Sequence, residues 1–220
     1  MSWESGPGGL GQAANFGSVY RYLYVDVHGK SDPVDSAFSL ATWFKTTESN
    51  CILPAIHGAG GDSWDAVALE ITGGKPTAWV REPDLGAADN RLVYPENFAD
   101  GQWHHMALTF TGGGDDTLRL FVDGKLAGVQ AQAAGQINIS AWQVAKRYGE
   151  DVYYAGALDD VRMYARALDD GGVSIIGQPA GGDVAQLYAM GIPEPSTWVL
   201  LVGAFLGLLP WTVARRMRRS

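Results

Sequence analysis

Apolar and polar residues alternate in short segments along most of the chain, and turn residues separate these segments. Residues 37–45 alternate in this way before the polar stretch 46–50, and residues 22–27 are rich in aromatic and β-branched side chains. Both patterns predict β-strands. Asp123-Gly124 lies between two such segments and is typical of a two-residue hairpin turn. Similar segments lie at residues 51–57, 66–71, 77–81, 103–110, 117–122, 125–130, 137–139, 142–145, 152–154 and 157–164.

The order of these segments predicts the fold class. Many short strands follow one another with no long helical pattern between them, which disfavours a parallel α/β sheet. We therefore expect an all-β fold, in which two antiparallel sheets pack face to face as a jelly-roll sandwich. The pattern also predicts one helix at Asp183–Met190, with Gly191 as its stop, after a glycine-rich stretch at residues 171–182.

Charge is distributed unevenly along the 220 residues. The formal net charge is −8, and residues 192–220 contain four arginines and one glutamate, so residues 1–191 carry −11. A body this acidic repels phosphate backbones, and we therefore expect no nucleic-acid partner.

Cys51 is the only cysteine in the sequence. An intrachain disulfide is therefore impossible. The apolar neighbours Ile52 and Leu53 predict that Cys51 is a small buried side chain, and the alternatives are a free thiol or an intermolecular bridge.

Three motifs in the right order resemble a known family. Residues 100–110, DGQWHHMALTF, resemble the Asp-Gly-x-Trp-His-His-Val-Ala strand of laminin-G-like domains in the concanavalin A-like superfamily, with Met106 in place of a β-branched residue. Residues 118–125 resemble the next hairpin of that family, and residues 156–168 resemble its closing strand. The resemblance covers roughly residues 14–190 and implies a jelly-roll domain.

Residues 1–13 precede that domain and are polar and glycine-rich, so we expect them to be disordered or wrongly assigned. The fold that the resemblance implies hosts lectins, hydrolases and adhesion modules. The function must therefore be sought in particular residues.

The loop from His57 to Asp65, HGAGGDSWD, is the candidate ligand site. Calcium binds several carboxylate and carbonyl oxygens on a bendable loop, so Asp62 and Asp65 are candidate metal ligands. Trp64 lies between them and is a candidate to stack on a sugar ring. The alternative is a solvated surface turn.

His104 and His105 also suggest a metal or catalytic site. Neighbouring residues of a strand point to opposite faces, so this pair cannot easily hold one ion. We expect Trp103 and one histidine to pack inside the sandwich and the other histidine to lie on the outer face. Asp159 and Asp160 are expected to point to opposite faces for the same reason.

An enzyme of this superfamily would resemble glycan hydrolases that carry Glu-x-Asp-x-Glu or Glu-x-Asp-x-x-Glu on a strand. Such a mechanism needs two cooperating carboxylates on one face. The nearest candidate is Glu82-Pro83-Asp84, which has no second glutamate after it and contains a proline that suits a loop. We therefore expect no catalytic residues.

The end of the chain has three parts. Pro193-Glu194-Pro195-Ser196 lies in a linker at residues 191–197, residues 198–214 are uncharged and long enough for a short transmembrane helix, and residues 215–220 form a basic end that would stay cytoplasmic. This order resembles the PEP-CTERM sorting signal of Gram-negative bacteria. The resemblance implies membrane insertion and processing near residues 193–196 by an exosortase-type membrane protease.

These observations predict an exported bacterial protein of the cell envelope or extracellular matrix. We expect its jelly roll to bind a polysaccharide or an envelope protein, with the exosortase-type protease and the membrane as partners during sorting. Calcium is the candidate cofactor. The alternative function is that of a carbohydrate-active hydrolase or lyase of the same superfamily.

Overall fold

The computed structural model describes residues 1–9, 11–17, 21–26, 33–34, 36–59, 65–80, 90–131, 137–139, 141–147 and 151–191. Within these ranges the chain forms fifteen strands and one α-helix. In chain order they are β1 Ser2–Ser5, β2 Gln12–Gly17, β3 Leu23–Asp26, β4 Pro33–Val34, β5 Ser36–Lys45, β6 Ile52–Ala59, β7 Asp65–Thr72, β8 Lys75–Val80, β9 Asn90–Val93, β10 His104–Gly112, β11 Leu118–Val122, β12 Lys125–Gln130, β13 Ile137–Asn138, β14 Ala141–Val144, β15 Gly156–Tyr164 and α1 Gly182–Met190.

Seven strands form one antiparallel sheet, sheet A, in the order β1-β2-β15-β5-β10-β11-β12. Alternate residues of β10 point to opposite sides of this sheet. Met106, Leu108 and Phe110 face the main core, whereas Ala107 packs in a second cluster on the other side.

Six strands form a second antiparallel sheet, sheet B, in the order β3-β14-β6-β7-β8-β9. Val67, Leu69 and Ile71 of β7 and Val80 of β8 are fully buried and face the core residues of sheet A. The main core therefore lies between the two sheets. β4 and β13 pair with each other as a separate two-stranded ribbon.

The C-terminal strap, residues 168–191, covers the outer face of sheet A. Its apolar residues Leu168, Val184 and Leu187 are buried against that sheet. The strap includes α1 and adds a third layer to the sandwich. For this reason, both faces of the central strands of sheet A are apolar.

The structure confirms the predicted all-β sandwich of two antiparallel sheets. The predicted Asp123-Gly124 turn joins β11 to β12, with φ of 46° and 70° at its two residues, as a type I′ hairpin turn requires. The predicted helix is present; it begins one residue earlier than expected, at Gly182, and ends at Met190 as predicted. The predicted strand at residues 152–154 is reduced to a single bridge between Tyr153 and Lys146.

Residues 1–13, which we expected to be disordered or wrongly assigned, include β1 and the start of β2. β1 pairs with β2, and β2 pairs with β15, so this segment forms one edge of sheet A. Ala13 and Phe16 of β2 are buried. The polar composition of the segment misled the prediction, because its order comes from pairing with a strand that is far away in the sequence.

The prediction that Cys51 is buried is also wrong, because its side chain is exposed. Cys51 lies just before β6, where its carbonyl accepts a hydrogen bond from Gly73 in the turn between β7 and β8. The apolar residues that suggested burial belong to the strand that follows.

Candidate functional site

The predicted calcium and sugar loop lies largely outside the described residues. His57 is in β6, and the backbone of Asp65 begins β7 opposite Ala59. Asp62 and Trp64, as well as the side chain of Asp65, are not described. Across the described ranges, no group of three or more histidine, cysteine, aspartate or glutamate side chains is placed to hold a metal ion.

Two other predicted sites lie beyond the description. They are Glu82-Pro83-Asp84 and the sorting motif at residues 193–196 with the apolar segment 198–214. In the part of the chain that is described, no helix combines the length and the apolar character that crossing a membrane requires.

The two neighbouring histidines point to opposite faces of sheet A, as expected. His104 lies on the core side and contacts the ring of Phe98, with centroids 4.6 Å apart. His105 is only 2% exposed and lies beneath the strap, next to Trp43. The structure adds a layer that the sequence did not predict, so the histidine on the outer face is buried rather than solvated.

His104 joins the Asp123-Gly124 turn to the start of β10. Its Nδ1 lies 2.8 Å from Asp123 Oδ2, and its Nε2 lies 3.2 Å from Asp100 Oδ1. The main-chain N–H of His105 donates to the other oxygen of Asp123 at 2.9 Å. Burial acts to lower the pKa of His104, but the hydrogen bonds and charges of Asp123 and Asp100 raise it above its usual value. The network is structural, because Asp123 also accepts from the main-chain N–H of His105 and Asp100 also accepts from that of Gln102.

Sheet B carries a row of polar and aromatic side chains on the face away from the main core. Pairing aligns Tyr24, Gln143, His57, Trp79 and Arg91 in one row across the sheet, with Ala68 of β7 between His57 and Trp79. We call these residues, together with Glu70, the polar row. His57, Glu70 and Trp79 are at most 1% exposed.

Glu70 and His57 form a buried pair within the polar row. His57 Nε2 lies 3.3 Å from Glu70 Oε2, and Arg91 Nη1 lies 3.9 Å from Glu70 Oε1. Thr72 Oγ1 donates to Glu70 Oε1 at 3.0 Å. Burial acts to raise the pKa of Glu70, but His57 and then Arg91 and Thr72 lower it below its usual value. The carboxylate is thus ionised and enclosed, and it is not open to a ligand.

A partly exposed group of aromatic and cationic side chains lies at the β3 edge of sheet B. Lys146 Nζ lies 4.8 Å from the ring centroid of Tyr22 and 5.4 Å from that of Tyr153. The two rings are 6.2 Å apart and inclined by 49°. We call Tyr22, Lys146 and Tyr153 the tyrosine–lysine cluster. Neighbouring Tyr24 is 50% exposed.

Strand pairing assembles this cluster. β3 pairs with β14 so that Leu23 lies opposite Val144, which places the residues before β3 beside those after β14. The chain then turns at Ala145, a buried residue with φ of 66°, and Lys146 bridges to Tyr153.

Sequence reasoning did not identify the cluster as a site. Its members come from segments more than one hundred residues apart, and only the pairing of β3 with β14 joins them. The available signal was the aromatic pair Tyr22 and Tyr24 at the start of β3, which lies at a sheet edge, where both rings stay exposed.

Several solved structures share this fold. The ligand-binding domain of botulinum neurotoxin serotype D in complex with N-acetylneuraminic acid is 15% identical, with a TM-score of 0.56 over 77% of this chain and 40% of that chain. The binding domain of botulinum neurotoxin DC in complex with rat synaptotagmin II is 12% identical, with a TM-score of 0.58 over 78% of this chain and 40% of that chain.

A heptameric SAP-like pentraxin from Limulus polyphemus is 13% identical, with a TM-score of 0.52 over 70% of this chain and 69% of that chain. At these identities the likeness shows the fold alone. The chain spans only 40% of the length of the two toxin structures. No curated protein sequence matches it.

A sequence-family comparison agrees with the structural ones. The model of the Laminin_G_3 family, described as the concanavalin A-like lectin/glucanases superfamily, matches residues 19–174. That range is more than half of the chain and contains the strands β3 to β15. This protein therefore belongs to the Laminin_G_3 family of the concanavalin A-like lectin/glucanase superfamily.

Proposed function

We propose that the chain is a non-catalytic jelly roll that binds glycans at a bacterial cell envelope or in the extracellular matrix. The tyrosine–lysine cluster is the observation that carries this proposal. Exposed aromatic rings beside a hydrogen-bond donor provide an apolar face and a polar contact, which are the two elements of most small-ligand and sugar sites. Tyr22 is 41% exposed and is not part of the main core.

The related structures support a binding role rather than catalysis. Two of them are named as binding domains of toxins, one in complex with N-acetylneuraminic acid and one in complex with the protein rat synaptotagmin II. A protein partner at the envelope is therefore the alternative to a glycan. The enclosed position of Glu70 also argues against its use as a catalytic acid or base, since such a group must reach the substrate.

The binding test uses the purified full-length chain in a mild detergent on an array of bacterial and plant polysaccharides, alongside an assay for new reducing ends. We expect binding without release of reducing ends. Tyr22→Ala should weaken binding at least about fivefold, because a ring contact contributes roughly 1 kcal/mol. Trp3→Ala is the control, because Trp3 is 63% exposed but lies on β1 of the other sheet.

An unchanged affinity for Tyr22→Ala would contradict the assignment of the site. Release of reducing ends that is abolished by replacing Glu82 or Asp84 would contradict the non-catalytic role and favour the hydrolase or lyase alternative.

Calcium binding is a further part of the proposal. Asp62 and Asp65 would supply carboxylate oxygens to the ion, and Trp64 would contact a sugar at the same rim. A ligand that binds only the folded chain raises its stability by mass action. We therefore expect a chelator to lower the melting temperature, and Asp62→Asn with Asp65→Asn to remove that difference. An unchanged melting temperature would contradict calcium binding.

Delivery by an exosortase-type system is the remaining part. Gly191 packs against Trp43, so the strap holds the chain to the folded body until two residues before Pro193. A protease that acts at residues 193–196 would release the body with its strap complete. Intact-mass measurement of the protein from its native cells should give a C-terminus near residues 193–196, whereas a C-terminus at Ser220 would leave only a membrane anchor.

A further inference from the structure

We infer that the tyrosine–lysine cluster selects carboxylated polysaccharides, those that contain uronate units. The inference rests on the proposed glycan-binding function and names the class of sugar that this site would take. It depends on the position of the Lys146 ammonium, on the surrounding charges and on the exposure of the tyrosine rings.

The ammonium group of Lys146 is positioned by aromatic rings. Its Nζ lies within 6 Å of the centroids of both Tyr22 and Tyr153, where the negative ring faces attract a cation. Ring faces orient the ammonium but leave its three N–H donors able to bond to an acceptor. The nearby carboxylate of Asp151 accepts a hydrogen bond from the Tyr153 hydroxyl at 3.3 Å. A carboxylate on a ligand would therefore accept a hydrogen bond from an ammonium group that is already held in position. Charge-assisted hydrogen bonds of this kind are stronger than those between neutral groups.

The charges around the cluster differ from those of the rest of the body. Residues 1–191 carry a net charge of −11, yet the described residues at this edge include Arg21, Lys146 and Arg147 against Asp151. Arg21 precedes β3, and β3 pairs with β14 directly before Lys146, so the cations come from neighbouring strands. The acidic body as a whole repels a polyanion, and the described cations at this edge are positioned to match its charge.

The aromatic rings suggest that the acidic group belongs to a sugar. Tyr22 and Tyr24 are 41% and 50% exposed, and Tyr22 presents apolar ring surface next to the cation. A uronate unit combines a pyranose ring with a carboxylate on its edge, so one residue of the polymer can contact a ring and the ammonium together. A free carboxylate or a protein side chain would use only the cation.

The strained backbone at Ala145 fixes the position from which the Lys146 side chain extends. Ala145 has φ of 66° although it is not glycine, and its N–H and C=O are both bonded, to Ala55 and Tyr154. A non-glycine residue in this conformation costs about 1 kcal/mol or more and is kept where the surroundings over-determine it. The turn that presents Lys146 is thus held rather than free.

The test compares two polymers with the same sugar backbone, one with free carboxylates and one with methyl esters. Polygalacturonate carries free carboxylates, and its fully methyl-esterified form carries none. We expect the full-length chain to bind polygalacturonate about tenfold more tightly than the ester, since a hydrogen bond to a charged group contributes roughly this factor. Lys146→Gln should remove the preference, Lys146→Arg should keep it, and Lys125→Gln should leave it unchanged, because exposed Lys125 lies on β12 of the other sheet.

The failures of the two proposals are distinguishable. Equal binding of the two polymers, or a preference that survives Lys146→Gln, would overturn the carboxylate inference while the glycan-binding function stands. Binding of neutral polysaccharides alone would do the same. Absence of binding to every polysaccharide would overturn both. A tighter complex with a single-stranded oligothymidylate than with polygalacturonate would also overturn the inference, because stacking and cations would then serve a nucleic acid.

Discussion

The indole of Trp43 lies nearly parallel to the phenol ring of Tyr188, with centroids 5.6 Å apart and 15° between the ring planes. Trp43 belongs to β5 at the centre of sheet A, and Tyr188 belongs to α1 in the strap. Tyr188 also lies 6.0 Å from the ring of His105. This contact joins the C-terminal segment to the middle of the sandwich, directly before the proposed sorting motif.

Replacement of Tyr188 tests how much the strap contributes to stability. Tyr188→Ala should lower the free energy of unfolding by about 2 kcal/mol, because a large and partly buried ring is lost. Tyr188→Phe should stay close to the wild type, since no hydrogen bond of the hydroxyl group is involved in the stack. Denaturant unfolding of the full-length chain measures both values. Equal stability of the alanine variant and the wild type would show that the strap does not stabilise the sandwich.

Two features of the structure require glycine at position 124. Its φ is 70°, and a β-carbon there would lie 2.6 Å from the ring of Tyr188. Gly113 has φ of 68° and open space around it, so Gly113→Ala isolates the backbone cost of about 1 kcal/mol. We expect Gly124→Ala to cost about 2 kcal/mol more, because the new methyl group displaces Tyr188.

The same pair of residues permits a double-mutant cycle. If the excess cost at Gly124 comes from Tyr188, then Gly124→Ala made in a Tyr188→Ala background should cost no more than Gly113→Ala. An excess that persists in that background would place the obstruction elsewhere.

The strands were predictable because local alternation reports which side chains face a core. In β10 the apolar positions Met106, Leu108 and Phe110 fall on one face, and the sequence pattern alone assigns them to a strand. The strap was less predictable. Trp43 and Ala107 are apolar on the opposite face, but only the docking of a later segment explains why.

The candidate site was hardly predictable, since its chemistry depends on long-range pairing. Glu70 and His57 are charged or polar residues in strands, and such residues are usually assigned to solvent, yet here both are buried. Tyr22 and Lys146 are brought together only by the register of β3 with β14. No local pattern encodes that register, because it is set by the packing of the whole sheet.

His105 should make the protein less stable in mild acid. Burial lowers the pKa of His105 to about 4, whereas an unfolded chain protonates its histidines near pH 6.5. The unfolded state therefore binds more protons between these two pH values, and the unfolding free energy falls by about 3 kcal/mol as the pH drops through that window. His105→Phe should flatten the stability curve there. A curve with the same slope in the variant would contradict this origin.

His104 should act in the opposite direction. The pKa of His104 is raised in the folded state, so above pH 6.5 the folded state binds more protons than the unfolded state. The stabilisation of the fold by protonated His104 is therefore complete below pH 6.5. It is lost as the pH rises through the raised pKa of the folded state. His104→Gln should remove this loss on the alkaline side and leave the acid side unchanged. The two neighbouring histidines together place the maximum of their combined contribution near pH 6.5, which unfolding titrations from pH 4 to 9 would test.

The buried pair of Glu70 and His57 provides a test that separates structure from binding. Glu70→Ala should cost about 3 kcal/mol, because it leaves the buried His57 and Arg91 without their carboxylate. Glu96→Ala, at an exposed position, should change stability by less than about 0.5 kcal/mol.

Replacing both partners with leucine should recover most of that loss, because an apolar pair of similar volume needs no compensation for a buried charge. Polysaccharide binding by the double variant decides whether the polar row stabilises the fold or binds the ligand. Since His57 and Glu70 are enclosed and Tyr22 of the tyrosine–lysine cluster is exposed, we expect the affinity of the double variant to equal that of the wild type. A folded double variant that no longer binds would move the ligand site from the edge of sheet B to its outer face.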